Sequence, residues 1–162
     1  MKANRMMKMV AAAMFCALVC IATSIIIIPL PNGFANLGDC FVMLAGGLLG
    51  PVWGTLAAAL GSALADLFLG YTVYAPATFI IKGCVALITA LLWNRLKWPA
   101  LPRVLISTIL AALCMVGGYF VFEWILYGPA AIATLMGNTI QGAIGAGAAC
   151  VLLPLLQKLK LR

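Results

Sequence analysis

Histidine is absent from the 162 residues, and acidic side chains number only three. Without histidine, Ser-His-Asp triads, H-E-x-x-H sites and His-ligated metals are excluded. No G-x-x-x-x-G-K-[ST] phosphate loop occurs, so the chain does not itself couple ATP hydrolysis. Cys16, Cys20, Cys40, Cys84, Cys114 and Cys150 are scattered through apolar runs with no C-x-x-C pair, and read as small buried hydrophobes rather than zinc ligands. No motif sets a nucleophile beside an acid, so neither an enzyme nor a bound cofactor or metal is implied. The first and second halves show no internal repeat, which removes the best sequence support for an inverted-repeat carrier.

Charge is scarce throughout. Charged residues make up 8% of the chain and hydrophobic ones 66%, with a mean hydropathy of +1.20. That balance predicts an integral membrane protein. A hydrocarbon core of roughly 30 Å takes about 20 helical residues to cross, so the length accommodates about six spans and no soluble domain beside them. Pro and Gly punctuation places the apolar segments near 9–30, 36–50, 52–70, 76–93, 104–126 and 131–156. The expected fold is an all-α bundle of about six transmembrane helices forming one domain over residues 1–162. A basic start followed by an apolar run also fits a signal peptide, but that run continues through "IIIIPL" and further apolar runs follow. It is read as a helix. The second segment is short, so its ends are expected to lie in protein rather than lipid. Pro51 marks a tight reversal between the second and third.

The ten basic residues give a net charge of +7. Lys2, Arg5 and Lys8 open the chain, Arg95, Lys97 and Arg103 cluster mid-chain, and Lys158, Lys160 and Arg162 close it. None of these clusters is interleaved with aromatics on a polar face, which argues against nucleic-acid binding. With both termini cytoplasmic, every basic residue but Lys82 falls inside, as the positive-inside rule requires. The acids then fall toward the outside: Asp39 begins the second span, Asp66 ends the third and Glu123 ends the fifth. Asn32, Asn36, Lys82, Asn138 and Gln141 occupy the same outer layer.

Asp66 and Lys82 lie on neighbouring antiparallel spans joined by "GYTVYAP", so they are expected to pair. Such a pair either locks the hairpin or faces a ligand cavity, since charges inside a membrane face a partner or a cavity. Four further polar residues at the same depth, Asp39, Glu123, Asn138 and Gln141, favour the cavity. Tyr71, Tyr74, Tyr119, Trp124 and Tyr127 sit near the outer span ends. They suit either an interfacial aromatic belt or stacking walls for a small ring. Small residues recur at helical spacing at Gly54, Ala58 and Ser62, at Gly137, Gly145 and Ala149, and at Ala13 and Ala17. The first two sets read as close helix packing. The face through Gly54, Ala58 and Ser62 leads to Asp66, which therefore points inward. The alanines of the first span lie near its cytoplasmic end, where a flat face suits either packing or a docking partner.

The ordered set "NLGD", "LLGP", "ADLFLGY" and "PATFIIKG" within residues 36–92 resembles the substrate-binding S components of energy-coupling factor (ECF) vitamin transporters. The middle third carries the match, and the remainder agrees in layout. The resemblance implies a plasma-membrane, prokaryote-type subunit that captures a micronutrient near the outer face. It also implies partners: a transmembrane T component and two cytoplasmic ATPases, the S subunit toppling in the membrane to release its cargo. Ala13 and Ala17 match the family's A-x-x-x-A contact for the T component. "NLGD" and "ADLFLGY" look most like the branch for hydroxymethylpyrimidine, pyridoxine and similar small rings, with riboflavin still open. On this reading the substrate-binding residues are Asn36, Asp39, Asp66, Tyr71, Tyr74, Lys82, Glu123, Asn138 and Gln141. The alternative is a self-sufficient carrier driven by protons moving through Asp66 or Glu123.

Overall fold

In a computed structural model, backbone is described for residues 2–25, 27–30 and 33–160, and side-chain surroundings for 5–25 and 36–158. Asn32 and Arg162 lie outside the described residues. The first helix, α1, is Lys2–Ile25. It stops earlier than residue 30, where the first span was expected to end. The chain instead forms strand β1, Ile27–Leu30, paired antiparallel with β2, Gly33–Asn36, in a register that sets Ile27 opposite Asn36. A run of isoleucines ending in Pro29 explains the correction, because β-branched side chains favour extended backbone and proline cannot continue a helix. The fold is thus all-helical apart from one short hairpin.

Helix α2, Gly38–Leu69, is broken at Gly50, whose φ of 84° and ψ of −177° are not helical. Glycine takes that conformation without a Cβ penalty, and the following Pro51 is well suited to a helix's first turn. The chain reverses there: a Cβ placed on Gly54 would run into the carbonyl oxygen of Ala45. α2 is therefore two arms, 38–49 and 51–69, folded back on one another. The first arm spans only about 18 Å at 1.5 Å per residue, too short to cross a bilayer by itself. It is buried at Val42, Met43, Leu44 and Ala45 and forms the centre of the molecule. In the second arm Val52, Leu56, Leu60 and Leu64 are exposed, whereas Gly54, Ala58 and Ser62 are buried. One face is thereby apolar and outward, the other small and inward.

Helices α3, Ala75–Arg95, and α4, Ala100–Tyr127, follow. A single 3₁₀ turn, Gly128–Ala131, leads into α5, Ile132–Lys160. Glu123 and Thr134 meet across that turn, and Gly142 lies against Ala112 and Met115, so α4 and α5 run antiparallel. Four helical stretches among the described residues are long and apolar enough to cross a membrane: Arg5–Ile25, Gly38–Leu69, Ala75–Arg95 and Ala100–Lys158. One end of the bundle carries the β-hairpin, the α2–α3 turn and the α4–α5 turn. The opposite end carries the Gly50 reversal and Arg5, Lys8, Arg95, Lys97, Arg103 and Lys158.

Candidate functional site

A cavity of about 440 Å³ opens among the helix ends that carry the hairpin and the two turns. The end of α1 contributes Thr23, β2 contributes Asn36, and the second arm of α2 contributes Ser62 and Asp66. The α2–α3 turn and α3 supply Tyr71, Tyr74, Thr78 and Lys82; α4 supplies Tyr119, Glu123 and Tyr127; α5 supplies Thr134, Asn138 and Gln141. Of the residues expected at a binding site, Asp39 alone does not line the cavity. It lies beneath, wholly buried.

Lys82 does not pair with Asp66 as expected. Its Nζ donates to Asp39 Oδ1 at 2.5 Å, and Gln141 Nε2 donates to Asp39 Oδ2 at 2.7 Å. Depth accounts for the difference. Asp66 lies three residues from the end of α2 and Lys82 seven from the start of α3, so their levels differ by about 6 Å at 1.5 Å per residue. Asp39 enters from the other side, in the first turn of α2, at the level of the lysine. Gly145 admits it: a Cβ there would come within 2.6 Å of the Asp39 Cβ.

The chain of hydrogen bonds continues outward. Asn36 Nδ2 donates to Gln141 Oε1 at 3.3 Å, and the Gly38 amide donates to Asn36 Oδ1 at 2.9 Å. A single network thus joins the hairpin to α2, α3 and α5, with every member engaged, as a buried polar cluster requires. Lys82 also lies 5.3 Å from the Tyr119 ring centroid.

Across the cavity, Glu123 accepts from the Thr134 hydroxyl and, at 3.4 Å, from Asn138 Nδ2. Neither Glu123 nor Asp66 has a cation within ion-pair distance among the described residues. The four tyrosines of the chain all line the cavity, Tyr74 stacking edge-on with Tyr71 and Phe122. Thr78 shares a 2.9 Å hydrogen bond with the Tyr119 hydroxyl. Trp124 differs, being exposed on the outer face beside Phe120. The five aromatics that sequence left between belt and stacking wall thus divide, with only the tryptophan facing outward.

Thr23, Thr78 and Thr134 line the cavity without having been singled out, and Ser62 had been read only as a packing residue. A hydroxyl in an apolar run carries little signal. Thr89, Ser107 and Thr108, also buried, simply donate to carbonyls of their own helices.

A bundle of long apolar helices enclosing a polar cavity at one end defines a membrane protein built to hold a small solute. The chain belongs to the ECF-type riboflavin transporter S component family, whose model matches residues 3–158. A Pyrococcus woesei protein, described as an uncharacterized protein in the gap 3′ region, is 36% identical over 130 residues, covering 78% of this chain and 86% of that one. The thiamine precursor transporter HmpT of Lactococcus lactis subsp. cremoris is 30% identical over 155 residues, covering 93% of this chain and 88% of its own. Membership makes the chain a component of vitamin or vitamin-precursor transport, in a family of transport subunits rather than enzymes. The family and this relative are named for different cargoes.

Proposed function

We propose that the chain captures a small, neutral or protonated nitrogen heterocycle, of hydroxymethylpyrimidine or pyridoxine type, for an ATP-driven ECF importer. The observation that carries this reading is the charge of the cavity. Lys82 is spent on Asp39, which leaves Asp66 and Glu123 facing a tyrosine-walled space with no cation within ion-pair distance among the described residues. Three acids against one lysine give the layer a formal charge of minus two when all are ionised. That field favours N–H donors and cations and opposes anions such as folate or pantothenate. Flat rings suit the tyrosines, which present both apolar faces and polar tips.

The chain traverses the bundle six times in this reading, the short first arm of α2 counting as one pass because its ends lie in protein rather than lipid, with both termini and the basic end in the cytoplasm. The cavity then opens outward. Energy comes from a transmembrane T component and two ATPases, since this sequence has no phosphate loop. Ala13 and Ala17 are exposed on α1 and form the docking face for the T component.

Mass spectrometry of small molecules released from the detergent-purified protein tests the reading. Thermal-shift titration with hydroxymethylpyrimidine, pyridoxine and riboflavin follows. A released pyrimidine or pyridine that raises the melting temperature is the expected result, whereas stabilisation by riboflavin alone replaces the cargo class. Uptake by the chain alone in proteoliposomes, abolished by a protonophore, overturns the ECF reading in favour of a proton-coupled carrier.

A further inference from the structure

We propose that Ser62 and Asp66 form the edge of the cavity that reads the cargo's ring, recognising a hydrogen-bond donor and an acceptor borne by one ring carbon, as on an amino-azine. This rests on the capture reading above. Six side chains among the described residues carry a buried polar atom without a hydrogen-bond partner: Ser24, Thr55, Ser62, Asp66, Trp93 and Arg103, Asp66 through Oδ2 alone, since its carboxylate also takes a hydrogen bond from Thr78. Ser62 and Asp66 are the two of these that line the cavity. Most of the remaining polar wall is engaged. Asn36, Lys82 and Gln141 belong to the Asp39 network, Thr78 bonds Tyr119, and Glu123 holds Thr134 and Asn138. The two buried unpartnered atoms of the lining therefore lie on one face of the second arm of α2.

An unpaired buried polar atom costs free energy, and native structures keep few of them without reason. A ligand in the cavity would supply both partners. An ionised carboxylate only accepts, so Asp66 requires an N–H or O–H donor. A hydroxyl gives or takes a proton, so Ser62 can donate to an acceptor beside that donor. The two residues are four apart on one helix, with Cβ atoms about 5–6 Å from each other. That separation fits two divergent hydrogen bonds from neighbouring atoms of one ring edge. Hydroxymethylpyrimidine has such an edge, an exocyclic amine beside a ring nitrogen. In pyridoxine neither carbon beside the ring nitrogen bears an amine, so that edge offers an acceptor without the neighbouring donor, and the pair favours the pyrimidine.

The test is calorimetric titration of the full chain in detergent with hydroxymethylpyrimidine and with its deaminated analogue, in which a ring carbonyl replaces the amine. The carbonyl reverses the order of donor and acceptor. Wild type should prefer the amine. Asp66→Asn puts an amide N–H donor where the carboxylate stood and should move the preference toward the carbonyl analogue, by about tenfold or more in the affinity ratio. Ser62→Ala, a change small enough to fold even where Asp66→Asn does not, should weaken the amine by about tenfold. A merely structural role would weaken both ligands alike. An unchanged ratio in Asp66→Asn, or undiminished amine affinity in Ser62→Ala, overturns the edge assignment while leaving the capture reading intact. Failure of wild type to bind the amine at all overturns the pyrimidine cargo and this assignment together.

Discussion

Asp39 and Lys82 show how a membrane protein keeps a full charge pair under a binding cavity. Each ion is almost wholly buried, and the pair is held by the second hydrogen bond from Gln141. Removing one partner strands the other, a loss of about 3–5 kcal/mol for a buried pair. Replacing both ions by neutral groups of similar size is often close to neutral. Lys82→Met should therefore lower the thermal midpoint of the ligand-free protein sharply, and Asp39→Asn added to it should restore most of the loss, as followed by tryptophan fluorescence. A double variant as unstable as the single one would mean that Lys82 contributes through its packing against Tyr119 instead. At this scale the sequence disclosed the polar inventory and not its pairing. Charges in apolar runs stand out because their burial is costly, so Asp39, Asp66, Lys82 and Glu123 were all visible. The partner was not, because adjacency of spans fixes which helices touch while a one-turn difference in depth fixes which side chains meet. Ser62 and Thr78 were hidden for another reason: a hydroxyl that wants a ligand and one that bonds its own helix look the same in sequence.

At the scale of elements, the decisive feature is the break in α2. Gly50 takes a positive φ, and the arms then approach so closely that Gly54 faces the backbone of Ala45 and Gly46. Gly54→Val would drive its side chain into main-chain atoms, which cannot rotate away as a side chain can. The expected result is a destabilisation of about 1–3 kcal/mol from overpacking, read as a lower melting temperature. The change also displaces the arm that carries Asp66, so affinity for the cargo should fall with it. Val52→Leu, on the exposed face of the same turn, should do neither, and equal effects at both positions would refute the two-faced reading of the arm. The reversal was legible because "LLGP" joins the residue that permits it to one that starts a helix well. The β-hairpin was not. "IIIIPL" is as hydrophobic as a helix end, and hydropathy does not distinguish a continuing helix from a strand paired beside the cavity. Its β-branched side chains and Pro29 held the signal, and apolarity outweighed them.

For the whole molecule, polarity is divided between two ends and a third region is left uncommitted. The cavity occupies one end and the basic residues the other, which accounts for the acids and nearly all the cations. α1 belongs to neither division. Val19 and Ala22 are buried, while Met6, Met7, Val10, Met14, Leu18 and Ile21 are exposed with Ala13 and Ala17 among them. Lipid would accept that surface, but lipid makes no demand for small residues, whereas a partner helix does, because close backbone approach needs side chains no larger than alanine. Replacing Ala13 and Ala17 together by leucine should leave cargo affinity unchanged, since Thr23 is the described residue of α1 that reaches the cavity and it lies well beyond them. The same variant should lose assembly with the T component and ATPases, and with it uptake, when the complex is co-expressed and purified by an affinity tag on the ATPase. Loss of cargo affinity would mean that α1 packing shapes the cavity and that docking and capture are not separable. Retained assembly with full uptake would place the contact elsewhere on the bundle and return the alanines to packing against lipid.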